Sequence, residues 1–269
     1  MCELFALSAS QPVDIVLSLG ELARHGGESG IHTDGWGVAF MEGHDVWLLR
    51  EPSAAATSPW VRCLQNLPVR STTVLAHIRH ATHGAVCLAN TQPFVRELGG
   101  YAHVLAHNGH LGDSGNASTH TRPRFQPIGD TDSEAAFCQL LGRFAEGRDN
   151  DEATGSDRYF ETFAAFAHEA RSRGPANIIH ISHDRLLVHA DRRTQRPGVI
   201  EPPGLWMLHR SCRTSEANPI TGGGVDVRGE ALSVVLFASV PLTNELWLPL
   251  ERGTVIACKQ GTIQQQRLI

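Results

Sequence analysis

A cysteine stands directly behind the initiator methionine, in Met1-Cys2-Glu3-Leu4-Phe5-Ala6-Leu7, and an apolar, strand-like run follows it. Methionine is usually trimmed when the second residue is small, so Cys2 is placed to become the first residue of the mature chain. It would then carry a thiol and a free α-amine on adjacent carbons of one residue. An α-amine has an ordinary pKa of roughly 7.7–8.0, so near neutrality a useful fraction is unprotonated and can take the thiol proton. Nucleophile and base would be one residue, with no histidine partner required. From this stretch alone, an ordinary small apolar residue near a terminus fits as well.

Three further polar clusters could do chemistry. They are Arg79-His80-Ala81-Thr82-His83-Gly84, Asn108-Gly109 and Asp130-Thr131-Asp132-Ser133. Singly, each has a bland reading: Arg79 in a surface salt bridge, Asn108-Gly109 as a hairpin turn, Asp132 as a helix N-cap. Fifteen histidines raise a metal-site reading, through His77-x-x-His80-x-x-His83 and His107-x-x-His110. Geometry weakens it, because His77 and His80 on one strand point to opposite faces and no H-E-x-x-H or paired C-x-x-C framework is present. No metal and no cofactor is assigned.

The elements that must position these clusters follow from hydrophobic period. Residues 13–24 carry apolar positions near helical spacing, and Gly26-Gly27 ends them. Gly35-Trp36-Gly37-Val38-Ala39-Phe40 reads as a strand whose glycines admit close backbone approach, with residues 46–49 as its hairpin partner. Residues 73–79 and 101–107 are buried strands, the first ending in the Arg79–His83 rim and the second running into a turn at Asn108-Gly109. Residues 112–127 read as a long mobile loop, suited to a lid. Helices are expected after Asp132 and over 159–172, then strands at 176–182, 185–190, 205–208 and 232–239, and a closing hairpin at 253–263. Residues 197–203 and 213–228 read as loops. Few helices between runs of strands imply an α+β fold with mainly antiparallel sheets.

The chain of 269 residues is 41% hydrophobic, enough for a sizeable core, and is expected to form a single domain over 1–269. Net charge is −5, from 28 acidic and 23 basic side chains interspersed, so no footprint for nucleic acid or anionic lipid exists. Apolar runs are far shorter than a membrane span and no basic leader precedes Glu3, which points to a cytoplasmic protein. The six cysteines form no C-x-x-C pair and are expected to be reduced.

Order and spacing together resemble the class II glutamine amidotransferase domain, an N-terminal-nucleophile hydrolase. The resemblance rests on Met1-Cys2, Asp34-Gly35-Trp36-Gly37, Arg79-His80-Ala81-Thr82-His83-Gly84, His107-Asn108-Gly109 and Thr131-Asp132-Ser133-Glu134. The strings MCELFALSA, NTQPF, TDSEAAF and ASVPLTNELW are similar to the stand-alone, YafJ-like subgroup. The resemblance implies a four-layer αββα sandwich. It implies that Cys2 attacks the γ-carboxamide of glutamine, that Asn108 and Gly109 form the oxyanion hole, and that a glutamyl thioester results. Arg79 would clamp the substrate α-carboxylate, Thr82 and His83 would line the subsite, and Asp132 would meet the α-ammonium. Asp34, Gly35 and Trp36 would support the site. One position departs: His25 stands where the family commonly has arginine.

Two other readings keep parts of this. A non-catalytic amino-acid-binding subunit would keep the pocket, though the intact Cys2 argues against it. A hydrolase of a γ-glutamyl bond in a larger conjugate, as in ergothioneine biosynthesis, would keep the chemistry and change the substrate. No acceptor domain is recognisable, which leaves three outcomes open: ammonia released, ammonia passed to a separate protein, or ammonia never formed.

Overall fold

The computed structural model describes residues 2–14, 16–67, 69–112, 124–146, 155–211 and 232–269. The first strand is β1 (Glu3–Asp14), followed by α1 (Val16–His25), β2 (Trp36–Glu42), β3 (Asp45–Glu51), α2 (Pro59–Gln65) and β4 (Arg70–Ile78). Then come β5 (Phe94–Leu98), β6 (Tyr101–Gly109), α3 (Asp132–Glu146), α4 (Gly155–Arg173), β7 (Ala176–Ser182) and β8 (Arg185–Ala190). The chain continues through β9 (Arg193–Arg196), β10 (Val199–Glu201), β11 (Trp206–Ser211), β12 (Ser233–Ala238), β13 (Leu248–Pro249), β14 (Thr254–Lys259) and β15 (Thr262–Leu268).

Two large sheets carry the fold, in the orders β13-β11-β12-β1-β4-β2-β3 and β15-β14-β8-β7-β6-β5, and their pairings are antiparallel. Both faces of each central strand are apolar, so alternation sorts residues between two cores instead of between core and water. In β1, Leu4 and Ala6 join the core between the sheets, whereas Phe5, Leu7 and Ala9 join the core under α1 and α2. In β6 and β7, Val104, Ala106, Ile179 and Ile181 face the inter-sheet core; Leu105 and Ile178 face the core under α3 and α4. Three stacked cores between four layers make this an α+β, αββα sandwich. Among the described residues, no helix is long and apolar enough to cross a membrane.

Several local expectations are corrected. Val13 belongs to β1, which pairs with β4 through Asp14↔Arg70, so the helix begins only at Val16. Asn108 and Gly109 do not turn: β6 runs through them, paired as Asn108↔Asn177 and Gly109↔Ala176. Within 197–203, expected as a loop, β10 forms and pairs with the preceding β9 in a short hairpin. Residues 113–123 of the expected lid, and the loop expected at 213–228, lie outside the described residues.

Candidate active site

Cys2 precedes the first residue of β1 at the open end of the seven-stranded sheet, where β4 ends at Ile78 beside Glu3. Its sulfur accepts the His80 amide at 3.4 Å and lies 3.6 Å from the His80 carbonyl. Burial pushes the thiol pKa up, partly offset by the His80 amide and the charge of Arg79. This thiol therefore stays protonated near neutrality and needs a base to become a nucleophile.

The segment after β4 is held from several sides. Arg79 is 3% exposed, and its guanidinium donates to the carbonyls of His83, Gly84 and Ala85 at 3.0–3.3 Å. Two of its five N–H groups remain outside these bonds. Asp34 accepts the Ala81 amide at 2.8 Å, and the Arg79 amide donates to the Gly35 carbonyl at 2.7 Å. Trp36 packs in the core under α1 and its indole donates to Glu51. Thr82 and His83 stand exposed at the rim.

Asp132 opens α3. Thr131 is the helix's cap, accepting the Glu134 amide at 3.3 Å, so Asp132 is not the cap expected; one Asp132 carboxylate oxygen accepts the Ser133 amide at 2.7 Å, and the other accepts the Leu111 amide at 2.7 Å and lies 3.4 Å from His110 Nδ1. Burial opposes its ionisation, but His107, the two amides and His110 outweigh that and hold its carboxyl below the ordinary value. The imidazole of His110 stacks on that of His83, with centroids 4.3 Å apart.

Asn108 is fully buried near the end of β6, and its Nδ2 donates to Ser239 Oγ at 3.3 Å. Ser239 Oγ also accepts the Leu4 amide at 3.0 Å. Gly109 has no alternative, because a Cβ there would lie 1.8 Å from the Pro175 carbonyl. Three runs of contacts join segments that carry predicted residues: Cys2 to His80; His83 through His110 to Asp132 and on to Leu111; and Asn108 through Ser239 to Leu4.

His25 takes an unexpected place. Its Nδ1 lies 2.8 Å from Glu3 Oε2, while Arg193 stands 4.0 Å from the other oxygen of Glu3. Burial opposes ionisation of Glu3, yet His25, His32 and Arg193 outweigh it and lower its carboxyl; the bond to Glu3 raises His25. His25 is therefore tied to the residue next to Cys2.

Sequence reasoning missed the supports. Gln92 copies a strand edge with its side chain, accepting the His107 amide at 2.6 Å and donating to the His107 carbonyl at 3.2 Å. A Cβ on Gly37 would lie 2.4 Å from the Gln92 carbonyl, which is the close approach that the glycines of β2 foreshadowed. Asn177 donates to the carbonyl of Asn108 at 3.0 Å. Only NTQPF, among the motifs, signalled Gln92. The histidine-rich spacing builds no metal centre: among the described residues no three His, Cys, Asp or Glu are grouped to hold an ion. His77 is wholly buried and driven down to about 3, and burial likewise lowers His107, whose Nε2 donates to the Pro175 carbonyl at 3.2 Å.

A search against family models matches residues 1–268 to the class II glutamine amidotransferases. The chain is 40% identical to Escherichia coli (strain K12) YafJ over 255 residues, covering 94% of this chain and 95% of YafJ. It is 32% identical to a Haemophilus influenzae protein over 270 residues, covering 97% and 85% of the two chains. Among solved structures, a Pseudomonas aeruginosa protein described as a predicted glutamine amidotransferase superposes with a TM-score of 0.69 at 31% identity, over 98% of this chain and 100% of that one. The Bacillus subtilis glutamine phosphoribosylpyrophosphate amidotransferase shares the fold, with a TM-score of 0.58 at 15% identity; 99% of this chain matches 49% of that one. With both the full-length match and the 40% identical relative in hand, the chain belongs to the class II glutamine amidotransferases.

Proposed function

We propose that this protein is an N-terminal cysteine amidohydrolase that cleaves the γ-carboxamide of glutamine through a glutamyl thioester. The observation that supports the reading is the set of contacts from Cys2 to His80, from His83 through His110 to Asp132, and from Asn108 through Ser239 to Leu4, which link the segments that carry the proposed residues. Met1 is removed, and the α-amine of Cys2 takes the thiol proton as sulfur bonds to the amide carbon. The carbonyl oxygen gains negative charge and is met by Asn108 Nδ2 and the Gly109 amide. The carbon–nitrogen bond then breaks, the α-ammonium returns its proton to the leaving ammonia, and the glutamyl thioester remains. Water, deprotonated by the same amine, attacks the thioester; glutamate leaves and the thiol recovers its proton.

Recognition falls to the two ends of the amino acid. The N–H groups of Arg79 left outside its loop bonds suit the α-carboxylate. Asp132, kept ionised by its amide donors, suits the α-ammonium, which would take over the place of His110. Thr82 and His83 flank the pair, Asp34 and Gly35 hold the Arg79 segment, and Trp36 anchors the strand behind it.

A hydrolase of larger γ-glutamyl conjugates remains the second reading. Val86, Leu88 and Ile128 stand exposed on the loops that carry Gly84 and Asp130, an apolar surface suited to a distal substrate half. Glutamate release from glutamine and from a panel of γ-glutamyl amides separates the two. A specificity constant highest for glutamine supports the first, and one at least tenfold higher for a conjugate establishes the second. The fate of ammonia, free or handed to a separate acceptor protein, belongs to the first reading alone. The chemistry fits a small-molecule substrate in the cytoplasm.

A further inference from the structure

Ser239 follows β12 directly, is 1% exposed, and bonds Leu4, Asn108 and Arg193 with its amide, hydroxyl and carbonyl. Its amide donates to the Leu4 carbonyl at 3.0 Å, and its hydroxyl accepts the Leu4 amide at 3.0 Å. Both polar groups of Leu4, two residues after Cys2, are therefore held by one serine. The same hydroxyl accepts Asn108 Nδ2 at 3.3 Å, across from the other sheet. Its carbonyl accepts Arg193 Nη1 at 2.6 Å, and Arg193 continues to Glu3 at 4.0 Å and so to His25.

We infer that Ser239 is a positioning residue that sets Asn108 against the Cys2 nucleophile. The inference rests on the proposed roles of Cys2 and Asn108. The terminal torsion of an asparagine is broad and intrinsically unselective, so the direction of its NH₂ must be fixed by a partner. Nδ2 carries two hydrogens. Ser239 Oγ takes one, which fixes the plane of the amide and commits the other to the oxyanion. A hydroxyl has two acceptor sites, and Leu4 and Asn108 occupy both. The nucleophile's strand and the oxyanion donor are thereby referred to a single oxygen, although they belong to different sheets. Asn108 Oδ1 is buried with no hydrogen-bond partner among the described residues, so nothing on that side of the amide duplicates the restraint.

The test is a double-mutant cycle on glutamate release from glutamine, with Asn108→Ala, Ser239→Ala and the pair. If Ser239 acts through Asn108, Ser239→Ala lowers kcat by about 10- to 100-fold while KM changes by less than about threefold, since a misdirected oxyanion donor loses part of the roughly 10²–10³ it supplies. The double variant then matches Asn108→Ala within about threefold, because a positioner adds nothing once its donor is gone. Ser239→Thr, which keeps the hydroxyl, retains kcat within about fivefold. Independent multiplication of the two defects overturns the inference, as does a kcat unchanged in Ser239→Ala while Asn108→Ala is impaired. Full kcat in Asn108→Ala instead defeats the reading of Asn108 as oxyanion donor, and the inference with it. If Ser239→Ala does not fold, Ser239→Cys takes its arm, since a thiol is nearly the same size and a poor acceptor.

Discussion

A buried thiol beside a cationic side chain is pulled in two directions, and at Cys2 burial wins. A nucleophilic role for it would then depend on a base, and the one on the same residue is the α-amine that trimming of Met1 would free. The neighbouring residue carries the clearest electrostatic consequence. Glu3 is tied to His25, whose bound proton it favours. Because the folded pKa of His25 is raised, its contribution to stability is complete below the ordinary 6.5 and is lost as pH rises through the folded value. Glu3 behaves oppositely: its folded pKa is lowered, so its contribution is present above the ordinary 4.5 and is lost as pH falls below that. His25→Gln should therefore lower the thermal midpoint most between pH 4.5 and 6.5, with a smaller difference at pH 8.5; equal differences at both would remove the ion pair from the account. Asp132→Asn should raise KM for glutamine by about 10- to 100-fold, as expected for loss of a charged partner worth roughly 1.5–3 kcal/mol, while des-amino glutamine is unaffected. Comparable losses on both substrates would separate Asp132 from the ammonium. The sequence exposed these residues through short strings of unusual type. It did not expose Ser239 or the Glu3–His25–Arg193 link, because each bridges residues far apart in the chain and leaves no local pattern.

Strands set the geometry, and β6 sets most of it. Its last two residues looked like a turn because Asn-Gly is the strongest short hairpin signal. Two things override that signal: the ladder to β7, and the lack of room at Gly109. Gly109→Ala should break the Gly109↔Ala176 pairing, since the added methyl group would meet the Pro175 carbonyl. A loss of about 2–4 kcal/mol in urea stability is expected, together with loss of turnover, since overpacking costs roughly 1–3 kcal/mol before any broken hydrogen bond is counted. An alanine variant as stable and active as the parent would show that β6 can shift without cost. Other element errors share one cause. Val13 fits a helical stripe as well as a strand, and only pairing with Ser71 on β4 decides it. In the same way β9 and β10 hold polar sequence in a hairpin that alternation does not announce. Short β-rich apolar runs bounded by turn residues were sufficient for β2, β4, β7, β8 and β12, whose apolar residues serve two cores at once.

At the scale of the molecule, the four layers place the site at one end of the sheets and bury several imidazoles in the layers behind it. Burial drives His77 down to about 3 and His189 to about 4, and lowers His180 well below its ordinary value. Unfolding exposes them, so between pH 6.5 and these folded values the unfolded chain binds more protons and stability falls as pH falls. At pH 5 His77 and His189 each contribute a loss on the order of 2 kcal/mol. His77 has neither nitrogen bonded among the described residues, so His77→Leu should shrink the drop in urea midpoint between pH 7.5 and pH 5; an unchanged drop would clear His77 of that role. The α+β class was legible because few helices lay between many strands, and the four layers came only with the family resemblance, whereas the order of strands within each sheet, being set by pairing across the chain, was not legible. The central claim concerns the first residue of the mature protein, and it is best tested by intact-mass and peptide mass spectrometry after treatment with a glutamine-analogue chloroketone. The account predicts a chain that begins at Cys2 and carries one adduct, on Cys2, whose formation glutamate slows. An adduct on the exposed Cys63 or the half-buried Cys87 instead, or undiminished glutamate release by Cys2→Ala, would contradict it.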